Sequence, residues 1–325
     1  MREAAFVKNN KVKWQSMEKK LYATVISNVD ELKSLYLDIT EDLSYAQTYY
    51  PKSSTTEYLN DLAAKAHQKV YRAKPASKNK IINFYKYEFP LMFSQYHPQL
   101  LLAFSIFIFF SIIGAYSAAV DDSFVRLILG DAYVNMTLEN IKEGDPMKVY
   151  KEANQIDMFL GITVNNIRVG LMAFTLGILA GLGTFFIAMQ NAVMLGSFQY
   201  FFADKGLLWE SARTIWIHGT IEISVIIICT CAGFVIGKSM LMPGTYTRMK
   251  AFLKGVKDAL KIVMSTIPFF IIAGFLEGFV TRLTGMPDII AIMIIGLSLA
   301  LILFYYVIYP LQLKKQKNAT KLSGV

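Results

Sequence analysis

Long apolar runs of about 20 residues recur along this sequence after residue 99, and each is long enough to cross the hydrocarbon core of a bilayer. Because backbone polar groups find no water there, runs of this length indicate membrane-spanning helices. The mean hydropathy of +0.39 agrees with that assignment. The sequence therefore predicts an all-α fold, a polytopic integral membrane helical bundle.

The first 98 residues contain no such run, and their apolar residues recur at three- and four-residue steps, as in helices with one buried side. Pro51 ends the second of these helices, and Ser54 with Glu57 has the spacing of a capping box ahead of the third. We expect a cytoplasmic helical domain over residues 1–77. An aromatic, lysine-containing stretch over residues 78–98 is typical of an amphipathic juxtamembrane elbow.

The transmembrane domain is expected over residues 99–310. Its clear spans are residues 100–120, 215–237, 262–281 and 289–310. Charge orients them, since cytoplasmic segments are rich in lysine and arginine. The acidic segment 121–166 is predicted to be an extracytoplasmic loop, whereas the basic segment 238–261 and the basic tail 311–325 are predicted to be cytoplasmic.

The remaining apolar stretch, residues 167–203, is too long for one span and short for two. With the amino terminus inside, six crossings place both basic segments inside, whereas five place them outside. We therefore expect six crossings, with a short helix from about Asn191 to Phe202, and a re-entrant or tilted element is the alternative. Both termini are then cytoplasmic, in a bacterial inner membrane.

The basic segment also has a helical pattern, with apolar residues on one side and cations on the other. It predicts an inner-surface amphipathic helix over residues 246–261 with the basic residues Arg248, Lys250, Lys254, Lys257 and Lys261. The net charge of +9 is interpreted in the same way, as basic flanks that face anionic membrane lipid. Nucleic acid is not an expected partner.

Charged residues inside apolar spans are candidate functional residues, because each costs at least about 2.5 kcal/mol at a helix centre. His218 and Glu222 lie four residues apart, on one helix face, and Glu277 reaches a similar depth in the outer half of another span. The expected polar cluster consists of His218, Glu222, Glu277, Arg282, Asn165, Asn166 and Arg168. Arg168 or Arg282 can neutralise a carboxylate there.

We expect no catalytic residue, cofactor or metal. His218 and Glu222 can provide two zinc ligands, but no third ligand stands nearby in the sequence, and the metalloprotease pattern is absent. No glycine-rich phosphate loop and no serine or cysteine nucleophile with partners is visible. The cluster is interpreted as helix packing or assembly, with a transport or proton pathway as the alternative.

Small residues on a span let a neighbouring helix approach closely. Gly170, Gly177, Gly181 and Ala188 form such a set, so we expect a homodimer.

Seven stretches together resemble the stage II sporulation protein M family, also called DUF95, in its longer Bacteroidetes-type members. They are REAAFVKNNKVKW, YPKSSTTEYLNDLAAKAHQKVY, DDSFVRLILGDAYVNMTLENI, VMLGSFQYFF, WIHGTIEIS, PGTYTR and AGFLEGF. The namesake of that family gathers cell-wall hydrolases during engulfment. The resemblance therefore implies a non-enzymatic membrane scaffold that recruits envelope or cytoplasmic protein partners.

The alternative function is a permease. Six spans, two inner termini and an elbow before the first span also resemble the membrane subunits of ABC exporters, whose ATPase is a separate chain. That likeness is one of architecture alone.

Overall fold

The computed structural model describes residues 2–22, 29–71, 80–152 and 154–322. Every regular element within these ranges is helical, which confirms the predicted all-α class. The chain divides into two compact units, Met1–Lys80 and Ile81–Val325, called here the front unit and the membrane unit. The domain boundary predicted between residues 77 and 78 lies outside the described residues.

The described residues of the front unit form three helices: α1 Glu3–Tyr22, α2 Val29–Tyr49 and α3 Ser54–Tyr71. Pro51 follows the end of α2, as expected of a residue without a backbone N–H. The start of α3 differs by one residue from the prediction. Ser53, not Ser54, caps the helix, since its hydroxyl accepts a hydrogen bond from the Thr55 N–H at 3.0 Å.

The front unit has an apolar core of its own. Ile39 of α2 and Leu59 of α3 are completely buried, and Trp14 of α1 is 3% exposed. The indole N–H of Trp14 donates to the Asp42 carboxylate at 2.8 Å, and the ammonium of Lys13 lies 2.8 Å from the same oxygen. A polar contact therefore fixes α1 against α2 at the edge of the core.

The predicted elbow consists of α4 Lys80–Asn83, a π-helical turn Phe84–Glu88 and α5 Phe89–Phe93. Phe89 and Phe93 are completely buried, with ring centroids 5.8 Å and 5.6 Å from that of Tyr306. The hydroxyl of Tyr85 donates to the Met264 carbonyl at 3.1 Å. The aromatic residues of this segment thus pack onto the later helices of the membrane unit.

Ten further helices complete the membrane unit: α6 His97–Val120, α7 Asp122–Leu129, α8 Asp131–Lys142, α9 Val149–Glu152, α10 Gln155–Thr175, α11 Leu182–Asp204, α12 Leu208–Leu241, α13 Arg248–Phe275, α14 Asp288–Leu303 and α15 Tyr309–Leu322. A 3₁₀ turn, Leu176–Ile178, follows α10. Two π-helical turns, Leu276–Thr281 and Phe304–Ile308, follow α13 and α14.

Among the described residues, five helical segments are long and apolar enough to span a membrane: His97–Val120, Gln155–Ile178, Leu208–Leu241, Arg248–Thr281 and Asp288–Ala319. They support the predicted polytopic bundle. The 23 residues of α11 measure about 34 Å, which is also a spanning length, but glutamine and asparagine lower its apolar character. Six crossings, with α11 as the third, stay a prediction.

The predicted short helix starting at Asn191 is wrong, because α11 already begins at Leu182. The chain reverses direction just before it, where Ala180 and Gly181 have φ angles of 53° and 86°. Asn191 does not break the helix, because its side-chain amide donates to the Ile187 carbonyl one turn earlier, at 2.8 Å. A polar side chain satisfied in this way is compatible with a continuous helix.

The segment predicted as a loop over residues 121–166 is mostly helical and ends earlier than expected. It contains α7, α8 and α9, and α10 begins at Gln155. The Asp121 carboxylate accepts the Ser123 N–H at 2.8 Å and caps α7, and the Asn154 side chain accepts the Ile156 N–H at 2.9 Å and caps α10. Such side chains start helices as readily as they form loops.

The predicted inner-surface helix over residues 246–261 is not a separate element. α13 begins at Arg248 and continues without a break past Lys261 to Phe275. No glycine or proline separates the basic half from the apolar half at this junction. The 34 residues of Arg248–Thr281 measure about 51 Å, so the basic first turns extend beyond a hydrocarbon core of about 30 Å.

α12 is the central helix of the membrane unit and contacts α6, α10, α11, α13 and α14. A Cβ at Gly177 would overlap the backbone of Gly233 on α12, and a Cβ at Gly233 would overlap the side chain of Thr184 and the carbonyl of Ala173. Gly170, Gly181 and Ala188 also face neighbours within the chain. The argument that these small residues form a homodimer surface is therefore wrong, and the homodimer itself stays a prediction.

Candidate functional site

His218 and Glu222 lie in the first half of α12, the helix that the others surround. Their spacing of four residues places them on one face, one turn apart. His218 is 4% exposed, and Glu222 is partly buried. Because α12 is covered on most sides by apolar neighbours, these two side chains are a polar interruption of the core.

Glu277 approaches the pair from the π-helical turn Leu276–Thr281. Its carboxylate Oε2 lies 3.7 Å from Nε2 of His218. One ligand atom from each of His218, Glu222 and Glu277 lies within 4.8 Å of the other two.

The second ring nitrogen of His218 is also occupied. Nδ1 lies 2.9 Å from the hydroxyl oxygen of Thr281, which is 1% exposed and stands on the same π turn as Glu277. This hydrogen bond orients the imidazole and directs Nε2 toward the carboxylates. The sequence interpretation missed Thr281, although its spacing of four from Glu277 places the two close together on one side of the helix.

α10 contributes one amide to the cluster. Asn166 is 5% exposed and adjoins the Glu222 carboxylate. Its Nδ2 has no hydrogen-bond partner among the described residues. The neighbouring Asn165 is exposed, and its Nδ2 lies 3.5 Å from Oδ1 of Asn166. Of the two predicted amides, Asn166 therefore belongs to the cluster and Asn165 lies at its edge.

Neither predicted arginine pairs with the acids in the part of the chain that the structure describes. Arg282 donates to the backbone carbonyl of Lys151 at 2.7 Å. Arg168 is exposed on α10 and forms no ion pair with a described residue. The expectation that one of them neutralises Glu222 or Glu277 is wrong.

A cavity of about 360 Å³ adjoins the cluster. His218 and Glu222 form part of its wall, and Tyr133, Tyr150 and Asn191 contribute further polar groups. The ring centroid of Tyr150 lies 5.9 Å from that of His218. The sequence interpretation missed Tyr150 because it assigned residues 121–166 to a loop without a role in the core.

Thr281, His218 and Glu277 follow one another as hydroxyl, imidazole and carboxylate, the order of groups that activates a nucleophile. Thr281 is not part of the cavity wall, so a substrate in the cavity does not reach its hydroxyl. The 3.7 Å between Nε2 and the carboxylate also exceeds a hydrogen-bond distance. The arrangement is suited to holding a positive charge or joining helices, more than to nucleophilic catalysis.

Glu277 provides the third potential metal ligand that the sequence interpretation did not find. The sequence interpretation found no third ligand near His218 and Glu222, and this is wrong in three dimensions, since Glu277 supplies it. One imidazole and two carboxylates form a donor set found at divalent metal sites.

The basic residues predicted for the inner surface lie in the first four turns of α13. Most of them are exposed: Arg248, Lys250, Lys254 and Lys257. Lys261 instead forms an ion pair with Glu88 in the elbow. Contact of the four exposed cations with anionic lipid stays a prediction.

Two family models match this chain. One, described as Stage II sporulation protein M, matches residues 103–282, and the other, described as a domain of unknown function, DUF8413, matches residues 4–72. The first match covers more than half of the chain and includes the whole polar cluster. The second covers most of the front unit.

The uncharacterized protein MJ0706 of Methanocaldococcus jannaschii is 24% identical to this chain over 143 residues. The aligned part is 43% of this chain and 63% of that protein, so the chain spans less than two thirds of this relative's length. No solved structure matches the chain.

Proposed function

The chain belongs to the stage II sporulation protein M family, and from this premise we propose that it is a non-enzymatic scaffold of the bacterial inner membrane that recruits protein partners. In this proposal both termini are cytoplasmic, and the front unit is the docking module. The membrane unit then serves as its anchor.

The observation that carries this proposal is the front unit itself. It has its own apolar core, and it matches a family model separate from that of the membrane unit. One side of α1 is exposed and basic, with Lys8, Lys11 and Lys19 around Val12, which is 78% exposed. An exposed apolar side chain surrounded by cations is suited to an acidic protein surface.

The chemistry of the polar cluster supports a non-enzymatic role. The hydroxyl beside His218 belongs to a threonine that is 1% exposed, and both cysteines, Cys229 and Cys231, are completely buried. A nucleophile needs access to its substrate as well as an adjacent base. These three side chains lack that access.

Affinity purification of the full-length chain from its native membranes tests the scaffold. We expect discrete proteins to be retained in amounts comparable to the bait. Val12→Glu should remove them, because it places a carboxylate at the centre of the exposed side of α1. The matched control is Leu37→Glu on α2, which is 56% exposed and lies outside that side. Recovery of the wild-type chain alone would contradict the proposal.

We also propose that the chain is a homodimer. Arg168 supports this, because it is exposed near the middle of the segment Gln155–Ile178, where a cation facing lipid costs about 2.5 to 3.5 kcal/mol. Acceptor groups of a second chain that pair with the guanidinium would offset that cost. A detergent-corrected mass of two 36.7 kDa chains is expected, falling to one for Arg168→Leu, and a wild-type mass of one chain counts against the dimer.

The permease is the second candidate, and the cavity of about 360 Å³ is the observation that favours it. A transported solute needs a site within the bundle, and His218 and Glu222 are polar groups in that wall. Co-purification of a separate ATPase, together with nucleotide-dependent transport by reconstituted vesicles, would support this function. Retained envelope proteins without nucleotide dependence would support the scaffold.

A further inference from the structure

The cluster of His218, Glu222 and Glu277 contains two acidic groups and no cation that pairs with them. Their ligand atoms lie within 4.8 Å of one another, and no lysine or arginine forms an ion pair with either carboxylate in the described part of the chain. Two carboxylates at this separation in a buried site repel each other unless a positive charge is shared between them.

A protonated His218 imidazole does not supply that charge through a hydrogen bond, because its Nε2 lies 3.7 Å from the nearest Glu277 oxygen, which is beyond hydrogen-bond distance. When Nδ1 donates its proton to the Thr281 hydroxyl at 2.9 Å, Nε2 presents a lone pair to the carboxylates. Three acceptor atoms then face one point. We propose that this point binds a divalent transition-metal cation.

The distances fit such an ion. Ligand atoms about 2.1 Å from Zn²⁺ and in tetrahedral arrangement lie about 3.4 Å apart. The 3.7 Å between Nε2 and Oε2 is close to that value, and a carboxylate movement of about 1.4 Å closes a separation of 4.8 Å. The mixture of one nitrogen and two oxygens is suited to zinc, manganese or iron more than to magnesium or calcium.

The surroundings have the features of a supported metal site. Thr281 holds the second ring nitrogen of His218, as outer groups do for metal-bound histidines. Asn166 is 5% exposed, adjoins Glu222 and has an unpartnered Nδ2 that can donate to that carboxylate. His218 and Glu222 line the cavity, which gives the ion a path to the site and space for a water ligand.

The ion acts here as a structural link between α12 and the π turn after α13. This inference is independent of the scaffold proposal, since the membrane unit can hold a metal whatever the front unit binds.

Zinc titration of the full-length protein tests it. The chain is purified in detergent with a histidine-free tag, stripped with a chelator and titrated with Zn²⁺ by calorimetry, and bound metal is measured by mass spectrometry. We expect saturable binding of one Zn²⁺ per chain. Glu277→Gln and His218→Gln should weaken it at least tenfold, whereas Glu139→Gln, which removes an exposed carboxylate on α8, should leave it unchanged.

Thr281→Val gives a second test that does not remove a ligand. It keeps the shape of the side chain but deletes the hydroxyl that orients His218, so we expect zinc binding to weaken about 10- to 100-fold. If Glu277→Gln does not fold, zinc binding by the wild type and by Thr281→Val still tests the proposed metal site. Absence of saturable binding to the wild type overturns the proposal, as does equal binding by Glu277→Gln and Glu139→Gln.

Discussion

Replacement of Ile39 by alanine should destabilise the front unit while leaving the membrane unit intact. Ile39 is completely buried between α1, α2 and α3. Removing three carbon atoms from such a site forfeits about 2.4 kcal/mol of burial at about 0.8 kcal/mol per carbon. The cavity that remains adds to this, so the total lies in the range of about 2 to 5 kcal/mol.

That loss is large for this unit. A helical unit of 80 residues is stable by roughly 4 to 12 kcal/mol, at about 0.05 to 0.15 kcal/mol per residue. The matched control is Leu37→Ala, two residues earlier on α2, where the side chain is 56% exposed. Exposed substitutions of this kind usually change the free energy of unfolding by less than about 0.5 kcal/mol.

Pulse proteolysis of the purified full-length chain in increasing urea measures the difference, with cleavage within residues 1–80 as the readout. At about 1 to 3 kcal/mol per molar urea, Ile39→Ala should lower the unfolding midpoint by about 1 M or more. Leu37→Ala should not shift it measurably. Equal midpoints for the two variants would refute the assigned core, and loss of the membrane unit together with the front unit would refute their independence.

Two further predictions concern the membrane unit. Tyr246 lies in the exposed connection between α12 and α13, and a cysteine in its place should resist membrane-impermeant thiol reagents in intact cells once the native cysteines are removed. A cysteine replacing the exposed Leu127 on α7 should react with the same reagents. The reverse labelling pattern would contradict six crossings. Gly196→Val should lower the yield of folded protein, because a Cβ at Gly196 overlaps the Ser111 carbonyl of α6 and such overpacking costs about 1 to 3 kcal/mol. Gly161→Val is the control, since a Cβ at Gly161 enters open space and should leave the yield unchanged. Equal yields of the two variants in fluorescence size-exclusion chromatography would count against the α6–α11 contact.

Much of the fold follows from local patterns. Apolar runs of spanning length identify four of the five long apolar segments, because hydrophobic composition alone determines whether a helix can lie in a bilayer. The helices of the front unit follow from three- and four-residue spacing, and the turn after α2 follows from Pro51. These features depend on residues that are close in sequence.

The errors arise where a tertiary contact overrides a local signal. Asn191 was expected to open a new helix, but its amide is satisfied one turn back and α11 continues through it. The glycines expected at a dimer surface instead allow α12 to approach its neighbours within one chain. Composition does not distinguish an intramolecular helix contact from an intermolecular one, since both favour small residues.

The polar cluster shows the same limit. The spacing of His218 and Glu222 places them on one face, and helix length brings Glu277 to a similar depth. Depth alone does not determine rotation about the helix axis. Packing between helices determines where the π turn places Glu277 and which way the two arginines point. As a result, Glu222 and Glu277 lie close to each other and to the His218 imidazole, and neither arginine pairs with them.

The most direct test of the scaffold against transport is a paired measurement on Glu222→Gln and Glu277→Gln. Fluorescence size-exclusion chromatography gives the amount of folded protein, and complementation of a deletion strain gives function. If the carboxylates join α12 to the π turn after α13 through the proposed cation, folded yield and complementation should fall together, because removing one carboxylate leaves that buried cation incompletely compensated, at a cost of about 3 to 5 kcal/mol. Variants that fold at wild-type yield but fail to complement would contradict the scaffold and favour a transport pathway.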